Sequence, residues 1–177
     1  MSPEQMVRAA IEVAGEGLAV GELPIGAVVV MGDQIVGRAH TQERGLRRRL
    51  VHADLLAMIQ ADEQLGPARR PHPLQLAVNL EPCVMCFGAA MTLGVTEVYY
   101  ALESEADGAS AIARHWQPAS FDLSGYAAPS MTGGILRHDS RDLFRKYCQT
   151  APEGGFRNWA QTIADLQDWP RPSPRAA

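Results

Sequence analysis

The chain has little cysteine: three residues in 177, two of them spaced C-x-x-C. So few thiols exclude a disulfide framework and point to a reducing compartment. It also lacks a long apolar run: 46% of its residues are hydrophobic, yet no segment approaches the ~20 residues that span a bilayer. Excess positive charge is missing too. A net charge of −4 and a pI near 5.7 exclude a broad cationic field for a nucleic-acid backbone, so nucleic acid is not the expected partner and a small molecule is. Met1-Ser2-Pro3-Glu4-Gln5 carries neither a basic leader nor an apolar h-region, and the expected location is cytoplasmic. Internal repeats and interdomain linkers are absent. The length suits a single domain, residues 1–168, followed by a flexible tail at 169–177.

What is present is organised around Cys83 and Cys86. A β-prone run, Leu74 to Leu80, precedes them and a helix-like run, Phe87 to Leu93, follows, so the thiols sit where a strand becomes a helix. Two side chains three residues apart share one helical face, and the partial positive charge of a helix N-terminus favours the thiolate that binds metal. The pair reads as half of a zinc site, with a redox dithiol or two ordinary buried thiols as the alternatives. A redox C-x-x-C belongs early, after a first βαβ strand, and without an upstream histidine. A tetrahedral site needs another donor and, for catalysis, an open position. Of the five histidines, His52 is best placed: it begins a helical pattern, Asp54 follows two residues later, and one strand separates it from Cys83. His40 and His72 lie in polar loops, and His115 and His138 in the less regular C-terminal part.

Along the chain, Ser2-Pro3-Glu4-Gln5 has the grammar of a helix start, and Met6, Ala9, Ala10, Val13 and Ala14 predict a packed face to about Gly15. Strands follow at 25–31 and 34–39 around a Gly32-Asp33 hairpin turn. A polar loop holding Arg44, Arg47, Arg48 and Arg49 leads to a helix from His52 to about Glu63, with Leu55, Leu56, Ile59 and Met58 expected inward. After strand 74–80 and the cysteine helix, Gly94 predicts a C-cap and 95–101 a strand parallel to the preceding one. Then come a short helix within 103–116, a turn at Met131-Thr132-Gly133-Gly134, a helix over 139–147 with Leu143, Phe144 and Tyr147 inward, and a last helix over 156–166. A mixed sheet between helical layers results.

His52-Ala53-Asp54 with Pro82-Cys83-Val84-Met85-Cys86 resembles the zinc nucleobase deaminase signature, H-x-E followed by P-C-x-x-C. Glu22-Leu23-Pro24-Ile25-Gly26-Ala27-Val28, Leu80 to Cys86 and Thr132-Gly133-Gly134-Ile135-Leu136 are likewise similar to stretches of bacterial tRNA adenosine deaminases and guanine deaminases, over about residues 4–147. The resemblance implies a cytidine deaminase-like α/β fold, a three-layer α/β/α sandwich. It also implies a zinc ion held by His52, Cys83 and Cys86 with water in the fourth position, and Asp54 as the catalytic carboxylate that carries protons to the base and the leaving ammonia. Substrate contacts are implied for Pro24, Ile25, Thr41, Ala53, Glu81, Pro82, Asp107 and Trp159, and a homodimer is implied as the assembly.

Two positions depart from the family pattern. Asp54 stands where the family has glutamate, which withdraws the carboxylate by about 1.5 Å on an unmoved backbone. Thr41 stands where related deaminases commonly have asparagine, and a hydroxyl reaches less far and bonds less than an amide. Asp107 falls near an assisting aspartate of guanine deaminases, and Phe156-Arg157-Asn158-Trp159 is loosely similar to their closing aromatic segment; the plainer readings are a solvated acid and a helix's core face. The expected activity is zinc-dependent hydrolytic deamination of guanine or an analogue. A tRNA adenosine deaminase and a noncatalytic zinc protein are the alternatives.

Overall fold

The computed structural model describes residues 1–67, 70–117 and 126–168, so the tail expected at 169–177 lies outside the described residues. Helix α1 spans Pro3–Ala19 and starts as its sequence predicts: Ser2 Oγ accepts from Gln5 N (3.2 Å) and Gln5 Oε1 from Ser2 N (2.8 Å). It runs four residues past the expected end at Gly15 and buries Met6, Val7, Ala10 and Val13. The remaining elements are β1 (Gly26–Met31), β2 (Gln34–His40), α2 (Glu43–Leu46), α3 (Ala53–Leu65), β3 (Leu74–Leu80), α4 (Val84–Leu93), β4 (Val95–Leu102), α5 (Ser110–Ala113), β5 (Ser130–Thr132), α6 (Arg137–Thr150) and α7 (Gly155–Ala164).

The strands form one sheet in the order β2-β1-β3-β4-β5. The first two junctions are antiparallel and the last two parallel, as a hairpin followed by a βαβ crossover demands. Alternation along the strands feeds two cores. Val28, Val30, Ala77 and Ala101 meet α1, α6 and α7 on one face, while Ala27, Val29, Leu76, Val78 and Val98 meet α3 and α4 on the other. This is the three-layer α/β/α sandwich with a mixed sheet. Among the described residues no helix is long and apolar enough to cross a membrane.

Three local expectations fail. The buried face of α3 is Ala53, Asp54, Ala57, Met58 and Ala61; Leu55 and Leu56 are half-buried and Ile59 is 45% exposed. A Cβ on Gly37 would fall 2.1 Å from the Ala57 carbonyl oxygen, so α3 lies against the backbone of β2 and only small side chains fit between them. Met131 and Thr132, expected in a turn, pair with Val98 and Tyr99 in β5. Leu143 of α6 is half-buried rather than inward, and Arg137, Ser140 and Arg141 occupy the buried face with Phe144 and Tyr147.

Buried Asn79 ties the layers together at the end of the sheet where the helices begin. Its side-chain Oδ1 accepts from Gly26 N (2.9 Å), and its side-chain amide Nδ2 donates to Pro24 O (2.8 Å) and Ser140 Oγ (3.0 Å). Ser140 Oγ in turn donates to Asn79 O at 2.8 Å. On α6, Arg137 bonds Glu103 and Gln167 O, and Arg141 bonds Leu166 O and Asp168 (both 2.7 Å). These contacts fasten the segment after α7, so that α7 lies back across the mouth of the sheet.

Candidate metal centre

The end of β2, the start of β1 and the ends of β3 and β4 converge at one edge, as the pairings Gly26–His40 and Leu80–Leu102 show. The N-termini of α3 and α4 point to the same edge, where open sheets of this kind bind ligands. His52 is the N-cap of α3 and Cys83 the N-cap of α4, with Cys86 in the first turn. The His52 side chain makes no bond to its own helix, and Cys83 bonds its helix only through Cys86, so both face outward to other partners.

The ligating atoms of His52, Cys83 and Cys86 lie within 4.8 Å of one another. His52 Nδ1 is 3.6 Å from Cys83 Sγ and 3.7 Å from Cys86 Sγ. Tetrahedral zinc with ordinary zinc–nitrogen and zinc–sulfur bonds requires a separation of about 3.6 Å, so the donor set and its spacing fit zinc. Protons compete with a metal for these atoms. The Cys83 thiol is pulled down to about 4, chiefly by a hydrogen bond from Cys86 and also by His52. Cys86 is driven up by that same bond and by burial, and the bond to Cys83 raises His52 to about 9.

A cavity of about 650 Å³ opens over this cluster, lined in part by Ile25, Thr41, Glu43, Arg49, His52, Ala53, Asp54, Glu81, Cys83, Ser104, Asp107, Gly155, Phe156 and Trp159. Asp54 is 4% exposed, and Leu55 N donates to its Oδ1 at 3.1 Å. Burial raises its pKa, against a hydrogen bond from the Cys86 thiol.

Six of the eight residues expected to contact substrate therefore line the cavity: Ile25, Thr41, Ala53, Glu81, Asp107 and Trp159. Pro24 and Pro82 are not among its lining. Their carbonyls serve the scaffold, Pro24 O accepting from Asn79 and Pro82 O from Ala109 N. Glu81 spends its carboxylate on the 103–110 loop, accepting from Ser104 N (3.0 Å) and Ser110 N (2.8 Å). The Thr41 hydroxyl lies within hydrogen-bond reach of Val51 O and Glu43 Oε2, and the residue is 1% exposed. Asp107 is exposed; its Oδ1 accepts from Ser104 Oγ (2.6 Å) and its carbonyl from Val84 N (3.1 Å), which ties the loop to the first turn of α4.

Two lining residues, Glu43 and Ser104, carry no sequence signal as site residues, and Arg49 carries one only as part of the arginine-rich loop. Glu43 Oε1 stands 3.9 Å from His52 Nε2, on the side of the ring away from the thiols. Burial raises the Glu43 carboxyl, opposed by the charge of His52. Ser104 and Arg49 belong to loops without periodicity, where only the fold brings them to the cavity.

Residues 1–102 match the family model for the cytidine and deoxycytidylate deaminase zinc-binding region. The chain is 30% identical over 128 residues to a tRNA-specific adenosine deaminase of Agrobacterium fabrum, a match covering 71% of this chain and 80% of that one. A solved structure from a study of A-to-I editing by tRNA:A34 deaminases is 28% identical, with a TM-score of 0.67, over 78% of this chain and 98% of the other. A second, of a mutant protein in complex with 8-azaguanine, is 26% identical, with a TM-score of 0.66, over 82% and 84%.

Proposed function

Since this chain belongs to the cytidine and deoxycytidylate deaminase zinc-binding family, whose members are zinc-dependent aminohydrolases, we propose that it hydrolyses the exocyclic amine of guanine or a similar heterocycle and releases ammonia. The observation that carries this reading is the position of α7. Gly155, Phe156 and Trp159 of the same chain wall the cavity, an aromatic wall that suits a flat ring, and Trp159 is backed by an edge contact with buried Phe144 (centroids 6.1 Å apart, planes at 69°). The 8-azaguanine complex of a similar structure agrees with a purine-sized occupant.

His52, Cys83 and Cys86 hold the zinc, which when bound supplies the Lewis acidity that activates water at neutral pH. Asp54 is the proton carrier in this reading. It takes a proton from the water that adds to the amidine carbon and gives it to the ring nitrogen. As the carbon–nitrogen bond breaks, a second proton goes by way of Asp54 to the departing amine, which leaves as ammonia. Its burial among apolar and thiol groups favours the protonated form, so a proton once taken is retained for delivery. Ile25, Trp159, Ser104 and Asp107, all lining the cavity, are the contacts this reading assigns to the ring. The same reading takes residues 1–168 as one deaminase domain, cytoplasmic and paired as a homodimer.

A second reading, deamination of adenosine in tRNA, is favoured by the named relatives and by one surface feature. Arg44, Arg47, Arg48 and Arg49 line a depression that shares Glu43, Arg49 and Phe156 with the cavity, where phosphates of a strand would lie. Ammonia release measured with free bases, nucleosides, triazines and tRNA separates the readings. Turnover of guanine or a triazine without tRNA turnover supports the first, turnover of tRNA alone replaces it with the second, and no turnover by the zinc-loaded protein sinks both.

A further inference from the structure

We propose that Glu43 is a positioning residue for zinc: its carboxylate accepts a hydrogen bond from Nε2–H of His52 and holds the imidazole with Nδ1 aimed at the metal. The two ring nitrogens face opposite ways. Nδ1 faces both thiols at 3.6 and 3.7 Å, and Nε2 faces Glu43 Oε1 at 3.9 Å. A ring that ligates through Nδ1 carries its proton on Nε2, and an acceptor-only carboxylate matches that proton. The remaining gap, about 0.7 Å beyond hydrogen-bond range, lies within the broad terminal torsion of a glutamate.

The surroundings hold Glu43 for this task. Its side chain is 17% exposed, unlike a solvated acid. Thr41 Oγ1 lies 3.3 Å from Oε2, which leaves Oε1 turned to His52, and the same hydroxyl reaches the carbonyl of Val51, the residue before His52. A four-residue helix such as α2 has little stability of its own. Buried Glu22 supplies it, accepting from Arg44 N (3.0 Å) and Gly45 N (2.6 Å), the two amides that follow Glu43. A Cβ at position 45 would sit 2.8 Å from Glu22 Oε1, so glycine keeps this bond intact. A chain of contacts thus runs from Glu22 through α2 to Glu43 and His52. Glu43 does not touch the reacting atoms by this route; it acts through the ligand.

This inference concerns the zinc centre and not the substrate, so failure of every substrate in the deamination panel would leave its test intact. Zinc affinity is measured by chelator competition at fixed pH for the wild-type protein, Glu43→Leu and Glu43→Gln. Glu43→Leu is expected to bind zinc 10- to 100-fold more weakly, and Glu43→Gln, whose amide oxygen still accepts, to recover most of that loss. Visible bands of the cobalt-substituted proteins should shift in the leucine variant and stay in place in the glutamine variant. Affinity in Glu43→Leu within threefold of wild type, or a glutamine variant as weak as the leucine one, overturns the proposal. If the leucine variant does not fold, long-range proton–nitrogen NMR of the zinc-loaded wild-type protein decides. A persistent Nε2–H signal from His52 supports the proposal; ligation through Nε2, or a proton lost to rapid exchange, overturns it.

Discussion

His52 Nδ1 stands 3.6 Å from Cys83 Sγ, and the two groups share a charge state before any metal is bound: thiolate on Cys83 at about 4, imidazolium on His52 at about 9. At pH 7 the proton count of the site follows from this pair and Cys86. Cys83 has already lost its proton, while His52 and Cys86 each retain one that zinc must displace. Zinc binding should therefore release about two protons at pH 7, and zinc affinity should fall as pH drops. Calorimetry in buffers of different ionisation enthalpy counts them. Release of fewer than two would contradict this proton count, while a third proton would come from the zinc-bound water.

Asp54 is a test of catalysis separable from metal binding. Asp54→Ala should retain zinc, measured by metal analysis, and lose about 10²- to 10⁴-fold in kcat. Asp54→Glu, which restores the methylene found in the family, should keep kcat within about tenfold of wild type. An alanine variant as active as wild type removes Asp54 from the mechanism.

Asn79 is the structural counterpart. Its side chain pairs Gly26 N, Pro24 O and Ser140 Oγ inside the core; removal strands Gly26 N and Pro24 O, while Ser140 Oγ keeps its bond to the Asn79 backbone carbonyl. Asn79→Ala should lower unfolding stability by about 3 kcal/mol, read from urea denaturation. A loss below about 1 kcal/mol would mean that water or a shifted backbone satisfies these groups.

Trp159 tests the cavity wall. Trp159→Ala removes an edge contact with Phe144 of about 0.5–1.5 kcal/mol and opens the pocket beside α7. The expected result is a KM for the heterocycle raised about tenfold with a smaller change in kcat, because a wall that clamps the ring binds ground and transition states alike. An unchanged KM would place the substrate away from α7.

Much of the fold was legible because its signals are local. The Ser2–Gln5 capping box, the Gly32 turn and the run Leu74 to Leu80 each depend on neighbouring residues alone. The inward face of α3 was misread because periodicity ranks side chains by hydrophobicity, whereas the approach of the helix to Gly37 selects them by size. Strand β5 is three residues long, too short for alternation to show. The ligands were legible because zinc chemistry restricts them to few residue types and places them at helix N-termini. Glu43 was not, since a carboxylate in a polar loop has no pattern until β2, α2 and α3 are folded around it.

The sequence by itself determined the two-layered pattern of helices on a mixed sheet, the zinc triad of His52, Cys83 and Cys86, and the shortened carboxylate at Asp54, because these rest on residue type and on spacing along one chain. Tertiary structure alone decided that Asp54 is buried beside Cys86 and that Glu81 serves a loop rather than the cavity with its carboxylate. It also decided that Trp159 walls the cavity of its own chain and that Glu43 faces the far side of the His52 ring. Each of these depends on which way a side chain turns once distant segments pack, and the sequence encodes that only through the fold.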